Sequence, residues 1–166
     1  MFTRRLAVTQ ALSLGALLVP SAYAAETCPD GAKIMTRERY DQYIKLYNAC
    51  DPHFTDFYQE NVVMETVPPL KGRQEINDFR LELRHYVIEN IAVEFFVPGS
   101  TGAAAQLLGT FSCVNDMPVT ALSGLFGRAI KKDQVLKQRG AILYAVEDGR
   151  FKSIRAFPPI IVHDWA

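Results

Sequence analysis

Asp148-Gly149 stands between two alternating segments, residues 135–146 and 151–157. Such a dipeptide between β-patterned runs makes a two-residue hairpin turn, so the C-terminal part of the chain must contain an antiparallel pair. Two further β-patterned segments precede it. In residues 91–97, Ile91, Val93, Phe95 and Val97 alternate with Ala92, Glu94 and Phe96. Residues 103–114 read as another long strand. The N-terminal half has a different period. Thr36 is placed to cap a helix reaching Ala49, with Tyr40, Tyr43, Ile44 and Tyr47 at i, i+3, i+4, i+7. Asp51-Pro52 opens a short second helix, with Phe54, Phe57 and Tyr58 on one face. Residues 62–66 are β-like until Pro68-Pro69 stops them. A third helix is expected over residues 73–87, with Ile76, Phe79, Leu83 and Val87 facing the core. Helices segregated against an antiparallel sheet make an α+β domain. Residues 115–134 are long for a hairpin connection and are suited to cover a pocket mouth.

The first 24 residues carry a different message. Arg4 and Arg5 give a positive start, residues 6–19 are mostly apolar, and Ala22-Tyr23-Ala24 offers small residues for cleavage. This is the layout of a secretory signal, and its apolar run is too short to span a bilayer. It places the domain in the periplasm or outside the cell. Cleavage after Ala24 leaves 142 residues, with 16 basic and 18 acidic side chains and a net charge of −2. That is one domain over residues 36–160, with tails at 25–35 and 161–166. A basic stripe is missing from the sequence, so nucleic acid is not an expected partner. No later run reaches membrane-spanning length.

An oxidising compartment permits a disulfide, and Cys28–Cys50 would staple the N-terminal tail to the first helix. Cys113 reads as a small buried hydrophobe. The cysteine spacings do not make a zinc site, and His53, His85 and His163 lack metal-ligand spacing. Phosphate-binding and dinucleotide-binding glycine motifs are also missing. No metal and no cofactor are expected.

Four segments together resemble the nuclear transport factor two-like superfamily, which includes SnoaL-like cyclases, ketosteroid isomerase and scytalone dehydratase. Tyr43-Ile44-Lys45-Leu46-Tyr47-Asn48-Ala49-Cys50-Asp51 is similar to its first-helix signature. Phe57-Tyr58-Gln59-Glu60-Asn61-Val62-Val63-Met64-Glu65 resembles the second helix and first strand. Lys71-Gly72-Arg73-Gln74-Glu75-Ile76 resembles the glycine turn before the third helix. Residues 148–157 resemble the terminal hairpin. The resemblance covers residues 34–158. It implies a cone, a curved sheet wrapped around three helices with an apolar pocket, and a homodimer formed through the sheet.

The resemblance also assigns residues. The oxyanion-hole tyrosine of ketosteroid isomerase matches Tyr43, its base falls on Thr66 beside Glu65, and its second acid falls near Ala141, so one of three functional positions survives and ketosteroid isomerisation is not the expected reaction. The helix Tyr-Asp pair of the dehydratase falls on Tyr47-Asn48, so the tyrosine is kept and the carboxylate is lost. One of its histidines falls near His85, and the other has no counterpart, the nearest position holding Thr110 or a neighbour. A histidine with one or two phenols can run an elimination, the imidazole taking the proton while a tyrosine steers the leaving oxygen. The catalytic candidates are therefore His85, Tyr47, Tyr43 and Glu65. The substrate-binding candidates are Asn48, Thr66, Glu94, Phe96, Thr110 and Arg139. Glu94, read as sharing a strand face with Phe96, is either an outer-surface charge or a raised-pKa base. Arg139 and Arg155 can pair with Glu65 or Glu94, or meet an anionic substrate group. The expected activity is a cofactor-independent lyase or isomerase acting on a small, largely apolar oxygenated molecule. The alternatives are a small-molecule binding protein of the same fold and a structural or interaction domain.

Overall fold

The computed structural model describes residues 33–166; the leader and Cys28 lie outside the described residues. Thr36 caps the first helix, α1 (Arg37–Ala49), its hydroxyl accepting from the Arg39 amide at 3.3 Å. The helix ends where Cys50 turns left-handed and its amide bonds back to Leu46 and Tyr47. Asp51 then caps a 3-10 turn, Pro52–Phe57, where a short α-helix was expected. The strand β1 (Tyr58–Met64) follows at once, starting earlier than the sequence pattern indicated. A two-residue strand β2 (Leu70–Lys71) leads into α2 (Gly72–Tyr86). Gly72 has φ +78°, and Glu75 caps the helix by accepting from the Lys71 amide at 2.7 Å.

The remaining strands are β3 (Val87–Pro98), β4 (Gly102–Cys113), β5 (Val135–Glu147), β6 (Arg150–Ala156) and β7 (Ile160–His163). Their order in the sheet is β2-β1-β6-β5-β4-β3. The β1–β6 pair is parallel and the other neighbours are antiparallel. Asp148 and Gly149 have φ 52° and 71°, the left-handed pair that the hairpin turn requires. After β6 ends at Ala156 the chain turns through two prolines and returns as β7, which pairs with β5 at Lys137, Gln138 and Arg139. Residues 161–166, expected as a tail, therefore belong to the domain, and Trp165 is buried.

The result is a mixed α+β domain with a curved, unclosed seven-stranded sheet. Its interior has two apolar clusters. The larger sits under α1 and is rich in rings: Tyr40, Tyr43, Phe54, Phe57, Tyr58, Phe96, Tyr144 and Phe151. Met35 is also fully buried there, although it was expected in the N-terminal tail. The smaller lies at the other end. There Met117, Leu122 and Ile130, from the long connection, pack with Leu83, Phe111, Leu136 and Trp165. That connection builds core of its own.

Two expected patterns shift. On α2 the buried stripe is Ile76, Arg80 and Leu83, so an arginine takes a position on the core-facing side. In β3 a bulge falls between Val93 and Phe95. It turns Phe96 inward and leaves both Glu94 and Phe95 outside, so Glu94 and Phe96 do not share a face.

Candidate active site

A charged cluster sits where α1, α2 and β3 meet. Glu89 lies on the inner face of β3, two residues before Ile91. Its Oε2 accepts from the Tyr47 hydroxyl at 2.8 Å and from Arg80 Nη1 at 2.9 Å. Arg80 Cζ lies 4.0 Å from the centre of the Tyr47 ring. The Arg80 side chain is 3% exposed and that of Glu89 13%. Arg80 Nε is buried and finds no partner among the described residues. Burial pushes the Glu89 carboxyl up, opposed by Arg80 and then by the Tyr47 hydroxyl. Burial first, and then the Glu89 charge, push the Tyr47 phenol well above its ordinary range. Tyr47 is thus a neutral donor. Oε2 is occupied twice, whereas Oε1 takes no hydrogen bond from the described residues.

Glu89 opens onto a cleft of ≈ 190 Å³ on the concave face of the sheet. The walls are apolar: Ile91, Leu107, Phe111, Ile142, Phe157 and Pro159. Gln138 adds a carboxamide, Gly140 leaves bare backbone in the floor, and the Phe111 ring lies over Gly109. A cavity of about 150 Å³ is enough for benzene, so this cleft admits roughly one ring. A desolvated carboxyl held by two donors beside an apolar cleft has the makings of an acid–base group.

No protein-family model matches this sequence, and no curated protein matches it. Solved structures match in shape. A candidate polyketide cyclase from Xanthomonas campestris pv. campestris superposes with a TM-score of 0.60 at 15% identity, over 72% of this chain and 86% of that one. A candidate ketosteroid isomerase from Kribbella flavida gives 0.52 at 15% identity, over 80% of this chain and 78% of that one. A computationally designed 17-OHP binder gives 0.55 at 14% identity, over 74% of this chain and 94% of that one. The chain has the nuclear transport factor two-like fold.

Within this nuclear transport factor two-like cone, Tyr47 is brought to the Glu89 cluster and the other expected site residues go elsewhere. Tyr43 is buried among rings, its hydroxyl 2.9 Å from that of Tyr58, and burial pushes it up to about 12. Tyr40 and Tyr144 form a second such pair at 2.8 Å. These phenols fill the interior under α1 and do not line the cleft. His85 is exposed in the last turn of α2, edge-on to Tyr86 at 4.8 Å. Glu65 is on the exterior, paired with Arg155 Nη2 at 3.1 Å. The Thr66 hydroxyl donates to the Pro68 carbonyl at 2.7 Å, in the turn after β1. Asn48 is a fastener: its Nδ2 donates to the Ile91 carbonyl at 2.9 Å and its Oδ1 accepts from the Ile91 amide at 2.8 Å. Phe96 stacks on Tyr40 at 4.3 Å. Glu94 and Arg139 make a bidentate pair at 2.6 and 2.7 Å on the outer face, so Arg139 holds the Glu94 carboxyl below its usual range. Thr110 alternates with the inward Gly109 and Phe111 and so faces out. Cys113 is buried, its thiol donating to the Asn115 carbonyl at 3.0 Å. Cys50 is half-buried at the end of α1.

Glu89, Arg80 and Gln138 escaped the sequence reading. For Glu89 a signal was present. The strand was started at Ile91, and carrying its alternation back two residues puts Glu89 on the inward face with Ile91 and Val93. Arg80 lies four residues after Ile76 and three before Leu83, which is helical spacing for the buried stripe. Gln138 shares the inner face of β5 with Leu136, Gly140 and Ile142.

Proposed function

We propose that this domain is a cofactor-independent acid–base enzyme of isomerase, cyclase or lyase type, working outside the cytoplasm on a small, largely apolar, oxygenated molecule. Glu89 carries the proton. The observation that supports this is the carboxyl at the cleft, pushed up by burial, with one oxygen anchored by Tyr47 and Arg80 and the other unclaimed. Fold neighbours named as polyketide cyclases and a ketosteroid isomerase favour the same chemistry. In the step proposed, Glu89 Oε1 takes a proton from a carbon next to a carbonyl. The C–H electron pair becomes a C=C bond and the carbonyl oxygen takes up the negative charge. Returning the proton to a different carbon isomerises the molecule, whereas loss of a β-oxygen substituent makes the step an elimination. Residues 1–24, read as a leader, support the location.

The test is hydrogen–deuterium exchange at the α-carbons of cyclohexanone in D₂O, followed by NMR. The protein should speed exchange above buffer, and Glu89→Gln should remove at least about a hundredfold of that gain, the usual worth of a general base. An equal rate in the variant excludes Glu89 as the base. A second reading is a binding protein, favoured by the engagement of Tyr43 with Tyr58. Retention of cyclohexanone without any exchange would select it.

A further inference from the structure

We propose that Gln138 is the oxygen-recognition residue of the Glu89 cleft, and that the low floor made by Gly140 and by the Phe111 ring over Gly109 limits its ligand to one uncharged, flat ring bearing an acceptor oxygen. The inference deepens the reading of that cleft as the working site. It stands on four observations.

First, Gln138 lines the cleft and makes no side-chain hydrogen bond to the described residues. Gln59, Gln74, Gln106 and Gln134 donate to Glu147, Asp78, Glu94 and Trp165, and Gln42 on α1 is exposed to solvent, so Gln138 is the glutamine whose carboxamide faces the cleft. A carboxamide facing an apolar cleft without a protein partner can offer its N–H to a ligand oxygen.

Second, the register sets the reach. Ile91 pairs with Gly109, and Gly109 pairs with Gln138, so Glu89 is two residues along and two strands across from Gln138. On an unbent sheet that is roughly 12 Å between backbones. Both side chains extend over the concave face, which leaves a span for one ring with its oxygen.

Third, the floor is shaped by absent side chains. Gly109 lies between the two polar residues. A Cβ there would come within 2.8 Å of the Phe111 ring, so that ring lies over Gly109 and is itself part of the floor. A Cβ at Gly140 would stand 3.8 Å from Pro159 Cβ, an ordinary contact that occupies ligand space without strain. A flat ring can lie on this floor.

Fourth, the lining is electrically closed. Glu89 is its charged member, and the Arg80 guanidinium already answers it. An anion would face the Glu89 carboxylate, and a cation would compete with Arg80. An uncharged ligand meets neither cost.

The experiment is an NMR titration of the purified protein with three probes: cyclohex-2-enone, cyclohexanecarboxylate and 2-decalone. Cyclohex-2-enone should shift the amides of Gly109, Gln138 and Gly140, while the anion and the two-ring ketone should not. Gln138→Met, of similar volume, should weaken the enone about tenfold, the worth of one hydrogen bond. Gly140→Ala should weaken it and Gly140→Val should abolish binding, with both variants melting near the wild type. Unchanged affinity in Gln138→Met, equal binding of 2-decalone, or no shift with any probe overturns the proposal. Gln138-dependent enone binding in a protein that never exchanges cyclohexanone protons supports it, and refutes the enzyme reading alone.

Discussion

Replacing Arg80 with methionine strands a buried carboxylate, and the cost can be worked from the geometry. Arg80 Nη1 lies 2.9 Å from Glu89 Oε2, and both side chains are largely removed from water. With charge centres about 4 Å apart, the attraction is about 4 kcal/mol at an effective dielectric constant near 20. Removing one partner of a buried pair typically costs about 3–5 kcal/mol. That is a large share of the roughly 5–15 kcal/mol that holds a domain together. The loss should depend on pH, and its sign follows from Glu89. Burial raises the Glu89 carboxyl, with Arg80 as the largest opposing influence. Taking Arg80 away raises it further. A carboxyl raised in the folded state binds its proton more tightly there than in the unfolded chain. Its stabilising effect is therefore complete below the unfolded value, about 4.3, and is lost as pH rises through the folded one. The Arg80→Met deficit should be largest at pH 8 and shrink steadily toward pH 5 in urea unfolding. The double variant Arg80→Met/Glu89→Leu removes both charges and should return to within about 1–2 kcal/mol of wild type, since apolar replacements of buried pairs are often neutral. A deficit equal at pH 5 and pH 8, or a double variant no better than the single, would show that Arg80 matters only as packing.

Tyr47→Phe removes a donor that holds the Glu89 carboxyl down, so the acidic limb of the kcat/KM profile for cyclohexanone exchange should move to higher pH. Asn48→Ala cuts both of its bonds to Ile91 and should cost about 1–3 kcal/mol, with faster hydrogen exchange at the Ile91 amide. His85→Ala should leave exchange activity within twofold and stability within about 0.5 kcal/mol, because its ring is exposed at the surface.

The fold was legible because local rules and global packing agree along most of the chain. The Thr36 cap, the Tyr40/Tyr43/Ile44 face and the Asp148-Gly149 turn all occur where their chemistry puts them. Where two periods overlap, the sequence gives less. The β3 bulge changes the phase of alternation between Val93 and Phe95, and no residue type in Val93-Glu94-Phe95-Phe96 announces it. That single extra residue separates Glu94 from Phe96: Glu94 keeps the outer side opposite Ile91 and Val93, and Phe96 turns in. The C-terminal segment, expected as a tail from residue 161, is different: Pro158-Pro159 carry the chain around to pair again with β5.

The site was harder to read because its residues break the rule that carries the fold. Sequence patterns locate a core by its apolar stripes, so an arginine at a helical core position or a glutamate on an inward strand face reads as an exception to discard. Here the exceptions answer each other. Arg80 is tolerable in the interior because Glu89 faces it, and Glu89 because Arg80 and Tyr47 hold one of its oxygens. Neither position makes sense alone, and they are brought together only when α2 folds back onto the start of β3. Tyr47 was legible because its helix spacing marks it as inward. Its role was assigned to a pairing with His85 because the strand pattern was begun at Ile91, two residues past Glu89. The histidine is drawn to the surface by its place in the last turn of α2, on the side away from Ile76, Arg80 and Leu83. A buried ion pair that an apolar pair could replace at little cost in stability is best explained by what the carboxyl does at the cleft. That reasoning ties the stability experiment to the kinetic one. The variant that removes both charges should fold as well as the wild type and catalyse nothing.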